Sequence, residues 1–438
     1  MKLSRTERFF YTFPQLPHAM VIVPVINMIP AYWSDQRSLP LAAVGLIIML
    51  TRITDVITDP IVGIWSDRLR SRFGRRKPFV VAGLPFMIAG VTMVFLPPED
   101  VGLMWLFWGL FIMYLGFTLV DIPYVAWGAE LEDDYHARSK LVAQRQAMGT
   151  IGTLITLSFP LIVQSLGYSG PAAAIIAMAI FFIVSQPTTF ALALWRVKET
   201  AAVNEETAKP RFKQSLSLIR TNGNFMRLLI AVFCLMAGIV GAGTLHLLTL
   251  TYWVRAPEIF PAMLFCQNTI GLLAIPLWLK LANRFGKERT MMVAGSWNAV
   301  FFALTFLFGP DQSMAFAAMV TISGAALAAV LFLGYAMIPD NVDADMKRGG
   351  TNDSGFYAAM LAMTTKFAVA IGVLVGTVVP AAFGFQPSDN IHSPDALFGL
   401  RATYAFVGVV LLVPALIALA GYDRSGTQQG RADSVDTV

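Results

Sequence analysis

The feature that most constrains this chain is a series of apolar blocks, each close to a membrane span in length, separated by short polar connections. They fall at 9–33, 39–64, 78–96, 101–127, 139–164 and 171–195, and again at 225–248, 260–281, 290–309, 313–338, 355–382 and 400–420. A helix needs about 20 mainly apolar residues to cross the hydrocarbon of a bilayer. Only helices or closed barrels satisfy every backbone group in lipid, and a barrel would show short alternating strands instead. With 56% hydrophobic and 13% charged residues over 438 positions, the chain lacks the polar skin of a soluble protein. The expected fold class is an all-α polytopic membrane protein of twelve transmembrane helices in two six-helix bundles. These are residues 1–195 and 225–420, with a cytoplasmic linker at 196–224 and a tail at 421–438. The tail has little apolar sequence to bury and is expected to be disordered. In the linker, Phe212, Leu216 and Ile219 recur at helical spacing among basic residues, which predicts a short helix on the membrane surface.

Charge sets the orientation. Of the 32 Lys and Arg, all but six fall in the N-terminal segment, alternate connections, the linker and the tail. Arg37, Arg255 and Arg401 lie on the other side, while Arg52, Arg145 and Lys366 fall inside spans. That bias places both termini in the cytoplasm. The net charge of +5 reflects topology, so no nucleic-acid partner is expected. The apolar sequence after Arg8 runs too long for a cleavable signal peptide. Cys234 and Cys266 both fall in spans and are expected as buried, unpaired thiols. The sequence has no P-loop, HExxH or nucleotide fingerprint, so neither an enzyme nor an ATP-driven pump is expected.

The halves look related. "SRFGRRK" at 71–77 and "NRFGKER" at 283–289 each follow the second span of their half. Weak internal symmetry of this kind marks transporters built from repeated bundles. The same offset carries Asp55 and Asp59 onto Gln267 and Gly271, so the second-span acids exist in one half only.

Those acids are the chemistry to explain. Asp55 and Asp59 are four residues apart and project from one helix face, with Thr58 beside them and Arg52 one turn back. A charge at bilayer depth costs roughly 2.5–3.5 kcal/mol. Either Arg52 neutralises the acids in a fixed ion pair, or a mobile cation or proton does. Asp121 and Thr118 share a face of the fourth span, Arg145 lies in the fifth and Lys366 in the eleventh. At about 1.5 Å per residue, Asp55 and Lys366 lie on the order of 15 Å from their cytoplasmic ends. Asp121 and Arg145 reach a similar level if the fourth helix runs to about Glu130 and the fifth starts near Ala137. Separate spans thus converge on the layer where transporters keep their sites. Carboxylate and hydroxyl oxygens there suit a small hard cation, with protonation as the alternative. No structural metal is expected.

At these residues the chain resembles the glycoside–pentoside–hexuronide:cation symporters of the major facilitator superfamily, typified by melibiose permease. "DVITDPIVGIWSDRLRSRFGRRKPF", 55–79, is similar to the family's second-span signature, and "DIPYVAWGAEL", 121–131, to its fourth-span motif. "PDNVDADMKRGGTNDSG", 339–355, looks like its loop between the tenth and eleventh spans. The resemblance implies the major facilitator fold, with a cation (Na⁺, Li⁺ or H⁺) held by Asp55, Thr58, Asp59 and Thr118. Asp121 would link cation to solute, with Arg145 near the solute and Lys366 approaching from the C-terminal bundle. It also implies that Asp67, Arg68, Arg75, Arg76 and Lys77 form a cytoplasmic gate. Family sugar transporters carry a first-span Asp, whereas here His18 or Ala19 occupies that neighbourhood. The usual Arg-Arg-Glu before the last loop glycine is Asn352, Asp353 and Ser354.

Other residues admit two readings. His18 and His246 are either packing or cavity-lining histidines. Tyr124 and Trp127 either stack on a sugar face or belong to the core or aromatic belt. Gly372 and Gly376 suit close helix packing. The expected function is symport of a sugar or glycoside-like solute with Na⁺ or H⁺ across the cytoplasmic (inner) membrane, by a monomer whose partners are solute, cation and bilayer. A lysophospholipid-type carrier and a non-transporting receptor or scaffold remain as alternatives.

Overall fold

A computed structural model describes residues 3–132, 134–168, 171–199, 222–347 and 354–422. The surface helix expected at Phe212 to Ile219, Asn352 and Asp353, and the tail beyond Tyr422 lie outside the described residues. Eleven helices among those described are long and apolar enough to cross a membrane, and one pair bent by 41° makes up to twelve. The protein is a multi-pass membrane protein. The chain divides into two compact units, one of residues 1–205 with 384–393 and the other of residues 206–383 with 394–438.

The first unit opens with a broken span: α1 (Arg5–Thr12), α2 (Gln15–His18), α3 (Ile22–Asn27) and α4 (Ile29–Asp35). Proline explains the breaks. Pro14, Pro17, Pro24 and Pro30 remove backbone donors, and their rings crowd the preceding turn. The single span expected at 9–33 therefore begins earlier and runs as four short helices. Long helices follow: α5 (Leu41–Arg68), α6 (Lys77–Phe95), α7 (Leu103–Glu130), α8 (Tyr135–Ser165) and α9 (Pro171–Arg196). α7 packs along both α6 and α5, while α2 lies on α8. The latter contact depends on Gly152, where a Cβ would overlap the Leu16 carbonyl oxygen.

The second unit begins with α10 (Gly223–Thr244), extended by a turn at His246–Leu248 and a π-helix at Thr249–Val254. Then come α11 (Phe260–Leu273), α12 (Ile275–Phe285), α13 (Lys287–Leu304), α14 (Ser313–Ser323), α15 (Leu327–Ala336), α16 (Ile338–Lys347), α17 (Ser354–Ala382) and α18 (Pro394–Ala420). α11 and α12 form the bent pair. Pro276, in the first turn of α12, cannot donate to the Leu272 carbonyl, so the span expected at 260–281 kinks there. α10 is the buried centre, packed against α17 and α18. Gly372 and Gly376 make the α17 contact possible: a Cβ on either would lie 2.7 or 2.6 Å from the Ala237 or Gly241 carbonyl oxygen. Cys234 is buried as expected, but Cys266 is exposed because its side of α11 faces out of the unit. His246 is a packing residue. It is 2% exposed, its Nδ1 is 2.8 Å from the Tyr404 hydroxyl, and its ring lies against Phe302.

Candidate functional site

The polar residues of the first unit form two adjoining groups and a third at the end of the spans. The first joins α5 to α7. Asp59 accepts a 2.9 Å hydrogen bond from the Thr118 hydroxyl across the two helices. One turn back, Asp55 is 2% exposed and lies 3.3 Å from the guanidinium of Arg52 on the same helix. Arg52 in turn sits 4.1 Å from the ring centroid of Tyr114 on α7, a favourable cation–π arrangement in a dry site. The Arg52–Asp55 ion pair considered from the sequence is therefore present. The Thr58 hydroxyl donates to the Thr54 carbonyl at 3.1 Å, which leaves its lone pairs as acceptors. Pro60 follows Asp59 directly and Pro123 follows Asp121 by two positions. Each denies a helical donor to a carbonyl one turn earlier, that of Val56 or Leu119. Backbone oxygen is thus added near the carboxylates.

The second group is centred on His18 at the end of α2. Its Nε2 lies 3.5 Å from an Asp121 oxygen, and Asp121 is 48% exposed. Its Nδ1 meets the Gln186 amide of α9 at 3.2 Å, and its ring lies against Phe117. Arg145 of α8 stacks over Tyr124, 5.7 Å from the centroid. The structure thus brings together His18, Asp121 and Arg145 from three spans of one unit. Chain order gave no warning of Gln186, although a lone amide in an apolar span is the kind of residue that marks such a site.

Tyr124 and Trp127 are placed otherwise. Both are fully buried. Tyr124 and Tyr11 exchange hydroxyl-to-carbonyl hydrogen bonds, and the Tyr11 ring also meets Trp127 edge-on. Neither presents a face to a solute here, because the helical repeat turns both toward α1 and the Lys77 end of the unit. The Lys77 ammonium lies 5.3 Å from the Trp127 ring.

The third group lies at that end. Arg76 is 5% exposed and bonds Asp67, Glu130 at 2.7 Å and the Ser66 hydroxyl at 2.7 Å. Burial works against its charge, but the bonds and charge of Glu130, then those of Asp67, hold the guanidinium above its ordinary pKa. Arg75 also reaches Glu130, at 2.8 Å. Glu199, just past α9, accepts from the backbone N–H groups of Arg75, Arg76 and Lys77 at 2.7, 2.8 and 3.3 Å. It therefore satisfies donors that open α6. Lys77 donates to the Leu194 carbonyl, and Arg68 is exposed at the end of α5. Lys366 belongs to α17 in the second unit.

A family model described as MFS/sugar transport protein matches residues 10–423. The chain belongs to this family. Its members are transporters, not enzymes, and this transporter's curated relatives include named symporters. It is 25% identical over 440 residues to the isoprimeverose transporter of Lactiplantibacillus pentosus, covering 95% of this chain and 88% of the relative. It is 22% identical over 466 residues to sodium-dependent lysophosphatidylcholine symporter 1-B of Danio rerio, covering 96% and 87%. Among solved structures it resembles nucleoside transporter NupG, with a TM-score of 0.67 at 13% identity over 96% of this chain and all of that one. That likeness concerns the fold, which is the major facilitator architecture.

Proposed function

We propose that the chain is a cation-coupled symporter of a sugar or glycoside-like solute, working by alternating access in the cytoplasmic membrane. The observation that carries this reading is the bond between Asp59 and Thr118, which puts a carboxylate and a hydroxyl together across two apolar spans. A charge at that depth costs roughly 2.5–3.5 kcal/mol, and the Thr118 hydroxyl offsets part of it. A Na⁺ or H⁺ bound at Asp59 would discharge that carboxylate in each cycle. Asp121 lies one turn beyond Thr118 on α7, which connects that charge to the solute-facing group at His18 and Arg145. One charge crossing 100 mV supplies about 2.3 kcal/mol, enough for roughly a fifty-fold solute ratio. The buried network around Arg76 would brace the cytoplasmic end.

A different observation favours a second reading. An apolar groove of about 480 Å³ lies on α9, lined by Ala177, Ile180, Phe181, Val184 and Ser185. Its lining suits an acyl chain, as a lysophospholipid-type carrier would need.

Uptake into proteoliposomes separates the readings. The panel is isoprimeverose, other glycosides, a nucleoside and lysophosphatidylcholine, with Na⁺ and pH gradients imposed separately. Glycoside uptake driven by one of the gradients is expected. Uptake indifferent to both gradients would sink the proposal, and preference for lysophosphatidylcholine would favour the second reading.

A further inference from the structure

One buried amide has no part in the function just proposed. Gln186 of α9 is fully buried, and its Nε2 lies 3.2 Å from Nδ1 of His18. An amide nitrogen of this kind only donates, so the imidazole must offer its lone pair at Nδ1. The proton of the neutral ring then sits on Nε2, the atom 3.5 Å from Asp121 Oδ1. The ring is also held from the side, with Phe117 4.8 Å away between centroids and Phe117 itself stacked on Phe182 of α9. The charged groups whose fields act on the imidazole are Asp121 of α7 and Arg145 of α8. Among the described residues the other end of the amide, Oε1 of Gln186, is buried with no hydrogen-bond partner. The bond this side chain makes among them is therefore the one that orients His18.

We propose that Gln186 is a positioning residue that holds His18 as its Nε2–H tautomer, so that position 18 presents a hydrogen-bond donor beside the Asp121 acceptor. This rests on the reading of His18 and Asp121 as part of the solute site. An acid at position 18 would make the site two acceptors. With His18 locked by Gln186 it is a donor and an acceptor side by side. A hydroxyl group is complementary to that pair, because it can donate to Asp121 while accepting from His18. The locked tautomer therefore selects solutes by the polarity of the group that enters, and Gln186 sets that polarity without touching the solute.

The test needs no solute. The full chain, labelled with ¹⁵N in its imidazoles and reconstituted in lipid, has four histidines to resolve, and His18→Gln assigns the signal. At neutral pH the His18 Nδ1 is expected in the unprotonated range with Nε2 protonated. Gln186→Glu replaces the donor with an acceptor and should move Nδ1 into the protonated range. Gln186→Met, of similar length but unable to bond, should give a mixture of tautomers. A parent spectrum with Nδ1–H, or one unchanged in both variants, overturns the proposal. Should Gln186→Glu fail to fold, the parent and Gln186→Met spectra decide. The uptake panel tests the solute-site reading independently, so the two can fail separately.

Discussion

The second spans of the two units solve the same packing position in opposite ways. In the first unit, α5 meets α7 through Asp59 and the Thr118 hydroxyl. In the second, the residues at the repeat positions of Asp55 and Asp59 are Gln267 and Gly271 of α11. There the Gln267 amide reaches Ser323 at 3.5 Å, and Gly271 lies so near Gly324 that a Cβ would come within 2.8 Å of its carbonyl oxygen. The space that one unit fills with carboxylate and hydroxyl, the other fills with neutral amide and backbone. The fourth span is one unbroken helix, whereas the tenth passes through a 3₁₀ turn at Gly324–Ala326. The second-span acids are thus confined to one unit. Such a division suits a machine in which one half carries the ion and the other is a frame.

The largest way to break this comparison is Asp59→Asn. It should lower cation-driven uptake about 100-fold or more, equivalent to about 2.7 kcal/mol, while Gln267→Ala leaves ion dependence as in the parent. Uptake that follows imposed Na⁺ or pH gradients equally well in both variants would end the asymmetry. Next in size is Gly324→Ala, whose added methyl would overlap the Gln267 carbonyl oxygen. Overpacking of this kind costs about 1–3 kcal/mol, so the midpoint of thermal unfolding in detergent should fall with ion dependence unchanged. Thr118→Val is smaller. It keeps the shape and removes the hydroxyl that Asp59 accepts from, a loss of about 1.5 kcal/mol for a charged partner. Because that bond stabilises the empty carboxylate, its loss strengthens the drive to discharge Asp59, and a roughly tenfold fall in the cation concentration for half-maximal uptake is expected.

Much of this was legible in the chain. Block length alone placed the spans, and the boundary expected between Glu130 and Ala137 is found between Glu130 and Tyr135. Asp55, Asp121 and Arg145 could be set at one level because depth along a helix follows from counting residues, and the family resemblance implied that Asp59 and Thr118 act together. What counting does not give is which way a side chain turns. Tyr124 and Trp127 share a helical face with Val120, and whether that face meets solute or protein depends on Tyr11, more than a hundred residues earlier. Glu199 on the start of α6 and Gln186 on His18 are likewise contacts across long sequence separations, without local pattern. The broken first span was readable from its prolines, but apolar length outweighed them.

The smallest test lies in the frame itself. In the second unit, His246 and Tyr404 are 2% and 1% exposed and joined at 2.8 Å, with Phe302 and Phe316 around the Tyr404 ring. Both groups are thus satisfied inside one packed unit, which is how polar atoms behave when they hold structure rather than bind a passing ion. Tyr404→Phe keeps the ring and strands a buried imidazole nitrogen, so stability should fall by about 1 kcal/mol, read as a lower unfolding midpoint. Half-maximal cation concentration and the response to pH should match the parent, because no group of the α5–α7 site has changed. A shift in either would mean that protonation of His246 enters the transport cycle, and the second unit would then be a participant in ion handling rather than its support.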